Sequence, residues 1–329
     1  MPEFDWIEKN LSHLTNGEPG TFDLKNDGAI LRHDPECDLI VTTDTLIEGT
    51  HFLPGEQADT IARKSLRVNL SDLASMGAKP LCYTLNLALT RNKDNDLLDL
   101  FCSGLIKDQK EFGVYLLGGD TTSGDGLLTI TITCFGQTPK RAAWSRSQAQ
   151  AGDYIYVTGA IGEGLLGLYL RQGIIKCDDK DLKNRLINRH LVPNPRTNIH
   201  RLQANACISA AIDISDGLAA DLGHVCQQSK VSANLHLRDL PIAQDVRRFC
   251  ENQSIPIADL ATGGDDYELV LCVREDMHDV FLKASKSFSF PFTKIGQFSN
   301  RGKNYDYGVR LIADDGSDIT LAKTGWTHF

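Results

Sequence analysis

Val41-Thr42-Thr43-Asp44-Thr45-Leu46-Ile47-Glu48-Gly49-Thr50-His51-Phe52 decides how the rest of this chain is read. An apolar strand, Leu39 to Val41, runs straight into hydroxyls, a carboxylate, a glycine and a histidine. Strand ends in mixed α/β proteins hold polar groups rigidly at the rim of a sheet, where a hard cation such as Mg2+ takes oxygen ligands from Asp and Thr. The same residue types also build capped turns. The choice between turn and site therefore rests on the surroundings.

Upstream, residues 3 to 14 have the pattern of a helix, followed by a polar loop and by Phe22-Asp-Leu-Lys-Asn-Asp27-Gly-Ala-Ile-Leu31, where Asp27 stands just before an expected short strand. Downstream, Ala58 to Met76 carries Ile61, Leu66, Leu70 and Leu73 at helical spacing. Asn69 and Asp72, three apart, share one face of that helix, which Gly77 ends. Leu81 to Leu89 reads as a strand, Asp94 to Phe112 as a helix, and Val114 to Leu117 as a strand ending in Gly118-Gly119-Asp120-Thr-Thr. Leu127 to Phe135, alternating Thr with apolar residues, is a further strand. A first α/β domain is expected over residues 1–138 and a second over 139–329. Gly136 to Gly152 is the link and carries Arg146, a candidate phosphate contact.

The second half opens with a strand, Asp153 to Val157, and then Gly159-Ala-Ile-Gly162-Glu-Gly164-Leu-Leu-Gly167, which matches G-x-G-x-x-G at the start of a helix. A dinucleotide site needs a second parallel strand ending in an acid about 20 residues on. Here the chain continues Cys177-Asp-Asp-Lys-Asp-Leu-Lys-Asn-Arg, which looks helical and disfavours that site. Pro193-Asn-Pro195 is expected to start another helix. Ala211-Ile-Asp213-Ile-Ser215-Asp216-Gly-Leu brings acids to a strand end, with Asp216 placed to cap the helix that begins at Gly217. Thr262-Gly-Gly-Asp265-Asp266-Tyr-Glu268-Leu leads into a strand from Glu268 to Val273. Acidic turns in both halves suggest that the two face one another.

The bulk numbers agree with a soluble, two-domain protein: 329 residues, 41% hydrophobic and 23% charged. A formal net charge of −9 argues against a nucleic-acid or acidic-membrane partner, which would want a basic face. Nine cysteines, with no C-x-x-C pair and mostly in apolar runs, read as reduced thiols. The first residues lack the charged and apolar stretches of a leader, and no run approaches membrane-spanning length, so a cytoplasmic protein is expected.

Asp27, Asp44, Asp72, Asp120, Asp213 and Asp216 stand at expected element ends or on one helix face. Carboxylates that converge repel, and cations must neutralise them. Oxygen donors without a His/Cys cluster at zinc spacing indicate Mg2+, which bridges carboxylates to phosphates. The implied ligand is a nucleotide or polyphosphate, with Arg146 and the amides of Gly118 and Gly119 available for the remaining charge. The chain has no G-x-x-x-x-G-K-[ST], no kinase H-R-D and D-F-G set and no G-x-S-x-G. His51 is either a core or capping histidine or a residue of the ligand pocket.

Taken together, Thr42 to Phe52, Asn69-Leu-Ser-Asp-Leu-Ala-Ser-Met-Gly-Ala78, Gly118-Gly-Asp-Thr-Thr122, Ile212-Asp-Ile-Ser-Asp-Gly-Leu-Ala-Ala-Asp221 and Gly263-Gly-Asp-Asp-Tyr-Glu-Leu269 resemble the thiamine-monophosphate kinases over nearly the whole chain and in the same order. The resemblance implies the two-domain aminoimidazole ribonucleotide synthetase-like fold (α/β, of α+β character), a homodimer whose N-terminal mixed sheets associate, and a C-terminal α/β domain. It also implies ATP as co-substrate, several Mg2+ ions, and transfer of the γ-phosphoryl group to thiamine monophosphate. By matching position, Asp27, Thr42, Thr43, Asp44, Asp72, Asp120, Asp213 and Asp216 resemble the family's metal ligands. Gly119, Asp120, Arg146 and Ser215 resemble its ATP contacts. His51, Asp265 and Trp326 resemble its contacts to the thiamine phosphate. The family's first motif usually carries two acids, G-D-D-x-A, where this chain has Asn26-Asp27-Gly-Ala. Aminoimidazole ribonucleotide synthetase, selenide water dikinase and a hydrogenase-maturation protein share the fold and ATP use, but not His51 with Glu48-Gly49. A catalytically silent nucleotide-binding protein is the alternative that Asn26 hints at.

Overall fold

Along β1 (Cys37–Ile47) burial alternates: Ile40 and Leu46 are closed off, while Val41, Thr43 and Thr45 stand in the open. That period of two marks a strand covered on one face only. The computed structural model describes residues 3–90, 95–300, 307–319, 321 and 325. The chain divides into two compact units, Met1–Leu73 with Ala78–Ala143, and Ala74–Gly77 with Trp144–Phe329.

The first unit begins with α1 (Glu3–Asn10) and two 3-10 turns, Ser12–Thr15 and Pro19–Leu24. The expected helix over 3 to 14 stops early, where Ser12 Oγ donates back to Glu8 O at 2.5 Å and Asn16 turns left-handed at φ +53°. After β1 come α2 (Ala58–Ser75), β2 (Lys79–Thr90), α3 (Asn95–Phe112), β3 (Tyr115–Gly124) and β4 (Thr129–Pro139). The strands form one mixed sheet in the order β1-β4-β2-β3, with β2 and β3 parallel and the other pairs antiparallel. A parallel pair needs a crossover, and α3 supplies it. Thr42, Cys134 and Tyr83 form one row across the sheet, and both helices bond to it. From α2, Asp72 accepts from Thr42, and from α3 the amide of Gln109 donates to Tyr83 Oη at 2.9 Å. Arg63 and Arg67 of α2 bind the fully buried Asp108 of α3, at 2.9 and 2.6 Å. The opposite face of the sheet is a threonine lattice left open: Thr45 with Thr131 at 2.8 Å, Thr133 with Thr43 at 3.0 Å, and Val41, 53% exposed.

Three strands run further than their sequences suggest, and the last of them, β4, carries Gly136 to Pro139, the start of the expected link, paired with Cys37 to Ile40. β1 does not end at Val41 but carries Thr-Thr-Asp-Thr within its ladder, paired with Thr131 to Cys134. β3 likewise continues through Gly118-Gly119-Asp120, paired with Thr84 to Asn86. The short strand expected after Asp27 is absent: residues 25–36 form an irregular, mostly exposed connection.

The second unit contains β5 (Tyr154–Thr158), α4 (Glu163–Arg171), α5 (Lys180–Leu191), β6 (Ile208–Asp213), α6 (Leu218–Ser229), β7 (Ser232–His236), α7 (Gln244–Gln253), β8 (Leu269–Val273), α8 (His278–Ser285), β9 (Phe292–Ser299), β10 (Val309–Ile312) and β11 (Asp318–Ile319). Its sheet runs β11-β10-β7-β9-β5-β8-β6 and is antiparallel except between β10 and β7. Both faces are covered. Val270 and Cys272 of β8 enter one core with Leu166, Leu222 and Val225, whereas Leu269, Leu271 and Val273 enter another with Tyr156, Leu202 and Phe281. Burial on both sides explains why β8 is an unbroken apolar run rather than an alternating one. After Pro193-Asn-Pro195 the chain forms a 3-10 segment, Thr197–Asn205, instead of the expected α-helix. The cysteines are all free, seven of them buried and two, Cys37 and Cys177, half-buried. Among the described residues no helix is long and apolar enough to cross a membrane.

Candidate active site

In the first unit, alternation along β1 puts Thr42 and Asp44 on the covered face, towards α2. Thr42 Oγ1 donates to Asp72 Oδ2 at 2.5 Å. Asp44 approaches the same carboxylate: burial first, then the charge and hydrogen bond of Asp72, push it up from 3.8 to about 7. Two carboxylates this close cannot both ionise freely near neutrality. Thr43 faces the other way, where it donates to Ile132 O at 3.2 Å and accepts from Thr133. Asp120 is exposed and lies in the neighbouring row, Thr45, Thr131, Asn86, Asp120, also on the open face. Gly119 before it has φ +157°, and a Cβ there would sit 1.9 Å from Leu85 O, so no other residue fits between β2 and β3. Asp27 is exposed in its connection.

His51 closes the turn after β1. The Ile47 amide donates to its Nδ1 at 3.0 Å, which places the neutral ring's proton on Nε2. Lys64, buried on α2, donates to His51 O at 3.3 Å.

The side-chain donors that share the covered face, Thr42, Asp44 and Asp72, are all hard oxygens, and a divalent cation would relieve the Asp44–Asp72 pair; that set fits Mg2+, whereas the Thr43 hydroxyl lies on the opposite face. Among the described residues no three His, Cys, Asp or Glu gather closely enough to hold an ion unaided, so water and phosphate oxygens would complete its shell.

In the second unit three connections are laced together. Asp213, 2% exposed, ends β6, and the following Ser215, Asp216 and Gly217 point their amides at Asp221 Oδ2, at 3.0, 3.0 and 3.1 Å. Asp216 is therefore not the cap of α6: Gly217 holds the N-cap position, and Asp221, one turn inside the helix, folds back to hold the turn. Burial and the Asp216 charge push Asp221 up to about 7, against the pull of its three amides. The segment 262–268 lies on this turn, with Asp265 N bonded to Ser215 O at 2.9 Å and Tyr267 N to Ile214 O at 2.8 Å. The carboxylate of Asp266, fully buried, accepts from the amides of Gly162 and Gly164 at 2.8 and 3.2 Å. The glycine-rich helix start thus has its acceptor inside the protein, and β5 beside it pairs only antiparallel strands, so the βαβ arrangement of a dinucleotide-binding unit is not formed here.

Glu268, also fully buried, accepts from Thr158 Oγ1 at 2.6 Å and from Arg196 Nε at 2.6 Å, and is bonded to Arg189 as well. Arg146 is exposed, and its carbonyl accepts from Ser229 Oγ at 2.8 Å. Gly325 lies against the Asp216 turn, where a Cβ would come 2.8 Å from Asp216 O. Trp326 falls outside the described residues. The carboxylates that organise this region, Asp221, Asp266 and Glu268, stand within recognisable motifs, but nothing in their spacing distinguishes an inward acid from a cation ligand. Arg189, His190 and Arg196 carried no sequence signal.

Residues 25–138 match the AIR synthase related protein, N-terminal domain, and residues 150–307 the AIR synthase related protein, C-terminal domain. The thiamine-monophosphate kinase of Caulobacter vibrioides is 34% identical over 99% of this chain and 90% of its own length. The crystal structure of thiamine-monophosphate kinase from Stenotrophomonas maltophilia K279a is 34% identical, covers 90% of both chains and superposes with a TM-score of 0.78. AaThiL complexed with AMPPCP and TMP is 26% identical, covers 99% of this chain and 96% of its own, and gives a TM-score of 0.77.

Proposed function

The chain belongs to the AIR synthase related family and, within it, to the thiamine-monophosphate kinases, and on that footing we propose that it transfers the γ-phosphoryl group of ATP to thiamine monophosphate, giving thiamine diphosphate and ADP. The observation that carries this reading is the close Asp44–Asp72 pair beside Thr42, a site charged for cations and so for the phosphates they bring. On this reading Asp27, Thr42, Thr43, Asp44, Asp72 and Asp120 of the first unit, and Asp213 and Asp216 of the second, would hold Mg2+. Bound Mg2+ neutralises the charge of the transferring phosphoryl group and aligns it. Gly119, Asp120, Arg146 and Ser215 bind ATP, the glycine through its open backbone and the arginine as a charge partner.

His51, Asp265 and Trp326 bind the acceptor. With Nδ1 occupied by the Ile47 amide, His51 presents an Nε2–H donor, which suits a phosphate oxygen. No side chain is needed to take a proton, because the acceptor is a phosphate oxygen already ionised near neutral pH, its second pKa being about 6. The protein's work is alignment and charge neutralisation, and transfer is direct. Inversion at a chiral γ-phosphorus tests this; retention would require a covalent intermediate. Thiamine itself, whose alcohol finds no base, should be a negligible acceptor.

The open threonine face of the β1-β4-β2-β3 sheet supports a homodimer joined through that face. Nine free thiols support a reducing compartment, the cytoplasm.

A further inference from the structure

In the motif Gly162-Glu-Gly164-Leu-Leu-Gly167 the amides of Gly162 and Gly164 donate to Asp266, and Gly164 and Gly167 are tightly confined by the segments packed on them. A Cβ on Gly164 would lie 2.4 Å from Asp265 O. A Cβ on Gly167 would lie 2.1 Å from Leu186 O and 2.8 Å from His190 Cβ. The first glycine lets the backbone of Asp265 rest on α4, and the second lets α5 cross α4 so closely that His190 arrives beneath that residue. His190 is 3% exposed, and its Nδ1 lies 3.0 Å from Asp265 Oδ2 without the in-line geometry of a full hydrogen bond. Its neighbour Arg189 grips the same segment at Asp266 O, 3.1 Å away, and at Glu268. Asp265 itself is held at φ +68°, a conformation a non-glycine residue keeps only when its surroundings impose it.

We propose that His190 is a positioning residue for the phosphoryl transfer: seated by Gly164 and Gly167, it holds one oxygen of Asp265 so that this carboxylate meets the acceptor in a single orientation. The proposal rests on the reading of Asp265 as an acceptor contact. It also specifies which part of the acceptor is met, since a carboxylate repels a phosphate and attracts the cationic, amino-bearing rings of thiamine. At 3.0 Å a small turn of the Asp265 carboxylate is enough to bring Nδ1 and Oδ2 into line.

Two substitutions separate positioning from simple filling of space. In His190→Asn the side-chain amide nitrogen falls near the position of Nδ1, and in His190→Gln it falls near Nε2. The expected result is that His190→Gln raises KM for thiamine monophosphate about ten-fold or more while KM for ATP stays within about two-fold, and that His190→Asn stays within about three-fold of the wild type for both. Gly164→Ala, which pushes Asp265 off its seat, should raise KM for thiamine monophosphate by a larger factor than KM for ATP, and it carries the test should His190→Gln fail to fold. Equal changes in both KM values, or no change in that for thiamine monophosphate, would overturn the proposal while leaving the kinase reading intact. A wild-type protein that turned over no thiamine monophosphate would overturn both.

Discussion

Thr42 Oγ1 and Asp72 Oδ2 are 2.5 Å apart, a bond that joins strand β1 to helix α2 where Asp44 meets the same carboxylate. Asp44→Asn removes one charge of this pair and, on the proposed function, one oxygen ligand of Mg2+. It should lower kcat/KM by about a hundred-fold or more and raise the stability of the metal-free protein by about 1 kcal/mol. Asp120→Asn, at an exposed position, should match the loss of activity without the gain in stability. Kinetics and thermal unfolding in chelator decide it; full turnover by either folded variant would count against the metal assignments.

Asp266 ties stability to pH. Burial, opposed by the Gly162 amide and Arg189, lifts it from 3.8 to about 7, so the folded chain keeps this proton where the unfolded chain has lost it. Its stabilising contribution is therefore full below about pH 4 and is lost as pH rises through about 7. Asp266→Asn retains an acceptor for the two amides and removes the proton equilibrium. Denaturant unfolding from about pH 5 to pH 7.5 should show a decline in the wild type that is shallower in the variant, by an amount on the order of 2 kcal/mol. Identical slopes would contradict this.

Asp221 holds three amides with one oxygen. Asp221→Ala leaves those donors unmatched, the Gly217 amide in a buried position and the other two partly so, and should cost about 2 kcal/mol and, with Ser215 proposed as an ATP contact, weaken ATP binding. Asp221→Asn, which keeps one acceptor, should recover much of both. Equal losses in the two variants would show that the hydrogen bonds are not what holds the turn.

How much of this was legible in the sequence differs by element. The spacing of Ile61, Leu66, Leu70 and Leu73 located α2 to within a residue of its end, and the run from Leu269 to Val273 located β8, because burial alone dictates both patterns. β1 and β3 were cut short in the reading because Thr, Asp and Gly favour turns locally, whereas the ladder bonds from β4 and β2 keep these segments extended. The contact of Thr42 with Asp72 joins two motifs already noticed for their oxygens. The seat of Asp265 was illegible, since His190 and Arg189 look like ordinary polar residues of a helix end until the fold brings a segment over 70 residues away against them.

A dimer should appear in solution as about twice the 36.2 kDa of one chain by light scattering at micromolar concentration. Thr133→Arg, placing a charge within the open threonine face, should shift the protein to the monomer. A wild-type monomer would remove the shared sheet and leave the chemistry untouched.

ADP release with ATP and Mg2+ tests the central claim most directly, with thiamine monophosphate, thiamine and an aminoimidazole ribonucleotide precursor offered separately as acceptor. The account predicts ADP with thiamine monophosphate alone, matched mole for mole by thiamine diphosphate. ADP release with the aminoimidazole precursor and none with thiamine monophosphate, or no turnover of ATP with any of the three, would contradict it.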